Sequence, residues 1–235
     1  AVPYRRWFSR ALRQPTTDAA MADLDQVFEL DPEPHLIAWD LIYFLDDLVE
    51  EPRGAVAEQQ FAIAKAVYRD ALHRFPKQTL QHMFSQWLSS APEQFRDPEL
   101  ALQLAQRALE LDPGTSDMER HESVAWAQYR QGDSQACLAS LGRITGDTSE
   151  SDFIRAMAYQ SLGNTSEARA AFDRGCQWSN AHIQEMYFDR WSRKVIWNPT
   201  PGMIRRLQAE AAEMLGVAES ELSAVPDLPV ATNNQ

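Results

Sequence analysis

The same four residues, Glu-Leu-Asp-Pro, close two stretches of this sequence, at 29–32 and at 110–113. Each is preceded by apolar residues at helical spacing. In the stretch from Asp97 to Pro113, the residues Ala101, Leu104, Ala105, Ala108 and Leu109 follow the i, i+3, i+4, i+7, i+8 pattern of one helix face. Asp97 is placed to cap that helix, and Pro98 suits its first position, where a missing N–H leaves no bond unmade. Pro113 disfavours helical backbone at Asp112 and so ends it. The stretch from Asp18 to Pro32 reads as a second copy. A short unit with a single apolar stripe cannot cover that stripe alone, so its copies must stack side by side.

Two helix–turn–helix units follow. In the first, Val124 to Tyr129 leads into Gly132-Asp133, with Cys137 and Leu141 on the returning helix. In the second, Ala156 to Leu162 leads into Gly163-Asn164, with Ala168 and Phe172 on the return. A glycine at each turn permits the left-handed cap that stops a helix, and the small residues Ala125, Ala156 and Ala168 let neighbouring helices approach closely. Around these units, His35 to Val49 reads as a largely apolar helix. Gly54 to Phe75 reads as a long amphipathic helix with Phe61, Ala64, Val67, Tyr68, Ala71 and Leu72 on one face. Thr79 to Ser90 reads as the partner of the 97–111 helix, and Ile204 to Leu215, stopped by Gly216, as a terminal cap. Only nine glycines occur, and the β-branched runs and Asn-Gly or Asp-Gly turns of hairpins are missing, so the class is all-α.

These residues resemble a known family. Ala156, Tyr159, Leu162, Gly163, Ala168 and Phe172 match the tetratricopeptide consensus, and Gly132 and Gly163 stand 31 residues apart, near the ~34-residue period of that repeat. The succession of Arg96-Asp97-Pro98 through Pro113, then Tyr129-Arg130-x-Gly132-Asp133, then Leu207 to Gly216 looks like the C-terminal tetratricopeptide regions of planctomycete-type bacterial kinases and WD-repeat proteins. The resemblance spans residues 80 to 216 and departs between Trp178 and Met203, where the chain is longer and rich in aromatics. It implies a tetratricopeptide-like array of helical hairpins, an α-α superhelix of roughly 11 to 13 helices. The expected division is an N-terminal helical segment at 1–76, repeats with a capping helix at 77–216, and a loose tail at 217–235.

The formal net charge of −12 disfavours phosphate backbones and anionic lipid as general partners, so nucleic acid is not expected. The charge is uneven: Arg5, Arg6, Arg10 and Arg13 make the start basic, and Asp40, Asp46, Asp47, Glu50 and Glu51 form an acidic block, read as solvated faces or mutual partners. Two lone cysteines, Cys137 and Cys176, fit neither a disulfide framework nor a zinc pattern and suit a cytoplasmic chain. No apolar run approaches the ~20 residues of a membrane span. The sequence opens on Ala1 without a signal peptide's apolar core, which reads as a mature form, an excised domain or a trimmed chain.

Phosphate loops, nucleophile elbows and zinc-protease motifs are missing. Asp70-x-x-His73 and His182-x-x-Glu185 place carboxylate and imidazole at helical spacing, but a bundle metal site needs about six ligands. No catalytic residue, metal or cofactor is expected, and Asn164-Thr165-Ser166 reads as a polar turn. In tetratricopeptide repeats the first helix of each pair lines a concave groove. That resemblance makes Glu122, Trp126, Arg130, Phe153, Met157 and Gln160 the candidate partner-binding residues. Trp126 reads equally as packing between repeats. A second surface is read at Tyr187, Arg190, Trp191, Lys194 and Trp197, on a helix face that also carries Ile183, Met186 and Val195, suited either to core or to a partner. The expected function is a protein-interaction scaffold. The alternative is a structural subunit of a homo-oligomer or larger complex, packed through those aromatic faces.

Overall fold

The computed structural model describes residues 10–11, 13–14, 16–30, 58–59, 61–63, 65–66, 69, 81–111, 118–146, 148–192 and 201–218. They form an all-α helical-repeat array. The helix expected at 35–49 and the acidic block at 40–51 lie outside the described residues, as does nearly all of the tail. The chain divides into two compact units, Ala1–Gly146 and Asp147–Gln235.

In the first unit, α1 spans Thr17–Leu30 and buries Ala20, Leu24 and Val27 at i, i+4, i+7. Arg5 and Arg6 of the basic start lie outside the described residues, but its Arg10 finds an acid here: the guanidinium chelates the Asp23 carboxylate and holds its carboxyl below the usual range. Next come α2 (Gln81–Ser90), a 3-10 turn (Glu93–Phe95), α3 (Pro98–Leu111), α4 (Met118–Arg130) and α5 (Ser134–Leu141). Asp97 caps α3 as its position predicts, its Oδ1 accepting from the Leu100 N–H at 3.2 Å. That carboxylate also meets Lys65 at 3.6 Å and Arg69 at 3.3 Å, helical residues of the 58–69 stretch. Phe61, expected on the inner face of that stretch, is buried and stacks on Phe95 at 3.6 Å and Trp87 at 5.3 Å. The apolar face read on α3 is the one it buries, through Ala101, Leu104, Ala105 and Ala108.

The turn after α4 shows how local chemistry sets the hairpin. Gly132 adopts φ 85°, which brings the Asp133 N–H back to the Gln128 carbonyl at 3.0 Å, while the Asp133 side chain accepts from the Ala136 N–H at 2.9 Å. One short turn thus ends α4 and caps α5.

The second unit repeats the device. Here α6 is Ser149–Ser161, α7 is Thr165–Ser192 and α8 is Pro201–Leu215. Gly163 adopts φ 79°, and the Asn164 N–H returns to the Tyr159 carbonyl at 2.9 Å. Both α6 and α7 pack against α8, which covers the stretch expected to be helical at 204–215 and buries Met203, Ile204, Leu207 and Ala211. The aromatic segment, as far as Ser192, proves continuous with the returning helix. From Thr165 to Ser192 α7 runs 28 residues, against 13 in α6. No proline interrupts that stretch before Pro199, and Gly175 inside it is held by packing.

A buried charge network and a close approach lock α6 to α7. Asp152, 1% exposed, accepts from Arg155 at 3.1 Å and from Arg174 at 2.9 Å. Phe153 packs on Phe172 with centroids 5.7 Å apart and lies over Gly175, where a Cβ would stand 2.8 Å from the Phe153 ring.

Candidate protein-interaction surface

The candidate residues on α4 face α2. The Ser123 hydroxyl donates to the His82 carbonyl at 3.4 Å, and Arg130 Nε donates to the Ser89 carbonyl at 2.7 Å. Both pairs are 41 residues apart, so α2 and α4 run parallel in one register, and the same offset sets Ser85 opposite Trp126 and Gln81 opposite Glu122. This register places Glu122 and Trp126 inside the unit, at 5% and 1% exposure. Trp126 therefore serves packing between first helices. Its Nε1, like the hydroxyls of Ser85 and Ser89, is buried without a hydrogen-bond partner. Arg130, at the end of α4, stays partly exposed, with its guanidinium 5.3 Å from the Tyr129 ring centre.

On α6, Phe153 and Met157 are fully buried. The reason for Phe153 is the Gly163 turn, which folds α7 back so that Phe172 and Gly175 meet it. Gln160, one turn beyond Met157, is partly exposed, and its Oε1 is shielded from water with no donor to accept from. Of the six groove candidates, Arg130 and Gln160 retain accessible surface. Each lies near the C-terminal end of the first helix of its own hairpin.

Of the second surface, Tyr187, Arg190 and Trp191 fall on the distal half of α7, while Lys194 and Trp197 lie outside the described residues. Nearer the repeat, Trp178 stacks on His182 at 4.2 Å, and His182 Nδ1 lies 2.9 Å from the Trp178 carbonyl. Neither cysteine forms a disulfide: Cys137 is buried, and Cys176 accepts from Gln208 at 3.4 Å. Among the described residues no three His, Cys, Asp or Glu side chains are placed to hold a metal, and no helix is long and apolar enough to cross a membrane.

One cluster has no signal in the linear sequence. Glu119 and Glu122 sit three residues apart on α4, and His82, from α2, brings Nε2 to 3.5 Å from a Glu119 oxygen. Burial and the neighbouring Glu122 carboxylate push the Glu119 carboxyl up to about 7, with Arg120 pulling weakly the other way. His82 and Glu119 are 37 positions apart, so only the parallel register of α2 and α4 brings them together.

Residues 153–182 match the tetratricopeptide repeat family. The match begins at the Phe153 that packs on Gly175 and ends at His182, where the aromatic extension of α7 takes over. The α6–α7 hairpin is thus similar to one tetratricopeptide repeat. No curated protein and no solved structure matches the chain.

Proposed function

We propose that this chain is a protein-interaction scaffold that holds a peptide or protein partner along the first helices of its hairpins. The observation that carries this reading is the α6–α7 hairpin, which matches a repeat family whose helices serve chiefly to present surface. Fold alone does not fix function, so the residues matter. In this reading Arg130 in the first unit and Gln160 in the second each offer a contact: a partly exposed guanidinium suits partner carboxylates or carbonyls, and a side-chain amide suits an extended backbone. Glu122, Trp126, Phe153 and Met157 act behind them, fixing the helices that carry the contacts. The resemblance to C-terminal repeat regions of bacterial kinases and WD-repeat proteins fits a cytoplasmic role within a larger signalling assembly. Affinity capture of the native chain tests the reading. A stoichiometric protein partner supports it, and recovery of the chain alone, at every salt concentration tried, counts against it.

A second reading is self-assembly. The distal half of α7 runs on past the length of α6, and its sequence places Tyr187, Arg190 and Trp191 on one face. Such a face suits a second copy of the chain. Light scattering on the eluting protein separates the readings: a concentration-dependent dimer favours self-assembly, and a strict monomer removes it.

A further inference from the structure

We propose that one buried water molecule bridges α2 and α4, held by the Trp126 indole N–H and the hydroxyls of Ser85 and Ser89. The seam between these helices is built in rungs. Residues 81, 85 and 89 recur at every fourth position along α2, and the 41-residue register sets them opposite 122, 126 and 130 on α4. The first rung is polar on both sides, with Gln81 opposite Glu122. The last is tied by Arg130 Nε, which donates to the Ser89 carbonyl at 2.7 Å. The middle rung is different. Ser85 and Ser89 are 0% exposed and Trp126 is 1% exposed, and each side chain ends in a polar atom with no hydrogen bond to any described residue.

Three such groups in one seam point to a ligand, because folded proteins rarely leave buried donors and acceptors unanswered. The chemistry of the three narrows the choice. Two hydroxyls and an indole N–H carry no charge, so an ion would lose its hydration for little return. At this depth no peptide reaches them. A water molecule matches in kind: its oxygen accepts from Trp126 Nε1, and its two protons go to the serine oxygens. That makes three bonds, the usual number for a buried water. The spacing matches as well. Side chains one helical turn apart have Cβ atoms about 5–6 Å from each other, too far for the two hydroxyls to bond directly. Two hydrogen bonds through one water oxygen span up to about 5.5 Å. The water therefore completes the middle rung and helps hold the parallel register of the two first helices.

The test uses the whole chain and reads the water itself. Oxygen-17 relaxation dispersion of the solvent measures long-lived internal waters, and hydroxyl exchange does not contribute to it. Wild type is compared with Ser85→Ala/Ser89→Ala, in which alanine suits the helix and only the Trp126 N–H is left to hold a water. The dispersion amplitude should fall by at least the contribution of one water. An unchanged amplitude in a double variant with wild-type circular dichroism overturns the proposal. If the double variant does not fold, a crystal structure of the wild type decides. Density for a water within about 3.2 Å of Trp126 Nε1 and of either serine hydroxyl upholds the bridge. A seam in which these groups bond to protein alone, or to nothing, overturns it.

Discussion

Replacing Gly175 by alanine sets two known effects against each other inside one hairpin. Alanine in a helix interior is favoured over glycine by about 1 kcal/mol. Against this, the new Cβ would meet Phe153 Cε1 at 2.8 Å, Cδ1 at 3.0 Å and Cζ at 3.2 Å, so the ring must move. Phe153 is fully buried and backed by Phe172, which leaves it no open side. Forcing one extra carbon into such a core costs about 1–3 kcal/mol, and at these distances the upper half of that range applies. The net expectation for Gly175→Ala is a loss of about 1–2 kcal/mol. Urea unfolding followed by circular dichroism at 222 nm reads it as a lower midpoint with an unchanged slope. The double variant Gly175→Ala/Phe153→Leu should recover part of the loss, because the smaller side chain vacates the space where the methyl group lands, and the cycle should give a favourable coupling near 1 kcal/mol. A stabilised Gly175→Ala would refute the reasoning. It would mean that the ring yields freely and that the hairpin is not set by this approach.

Three further outcomes follow from the same contacts. Asp152→Ala leaves Arg155 and Arg174 without their shared carboxylate; since Arg174 is half exposed, the expected loss is about 2 kcal/mol rather than that of a fully buried pair, read by thermal melting. Asp97→Ala removes the cap of α3 and should cost about 1 kcal/mol, with an added salt dependence lost because Lys65 and Arg69 no longer find an acid there. Rising pH should destabilise the unit 1–146. Its folded state holds a proton on Glu119 that the unfolded chain has released, so the benefit is complete below the ordinary 4.5 and gone above about 7. Allowing for the partial exposure of that side chain, the fall in urea stability from pH 5 to 8 should be about 2 kcal/mol, and a rise would contradict the sign.

Much of the fold was legible because it is decided locally. Asp97-Pro98 and the turns at Gly132 and Gly163 each complete their chemistry within five or six residues, and the structure places each where the sequence does. The apolar stripe of α3 is likewise a local pattern. Which way a helix faces is not local. The position of Trp126 in its repeat fits groove-lining and packing alike, and the 41-residue register that turns it toward Ser85 depends on bonds from α2. Phe153 faces α7 because Gly175, 22 positions later, makes room for it. The His82–Glu119 cluster was unreadable for the same reason. The continuity of α7 had a signal in plain view, the lack of any proline between Thr165 and Ser192, which the density of aromatics obscured.

The central claim is that the chain holds another protein, with Arg130 of the first unit and Gln160 of the second each contributing a contact. Paired affinity captures of wild type and Arg130→Ala/Gln160→Ala from the same native extract, with melting curves recorded for both, test it most directly. Losing the Arg130–Ser89 bond should lower stability by about 1 kcal/mol and leave the chain folded. The account predicts recovery of the partner reduced at least about tenfold, the equivalent of 1.4 kcal/mol in binding. Equal recovery by a folded double variant would contradict it.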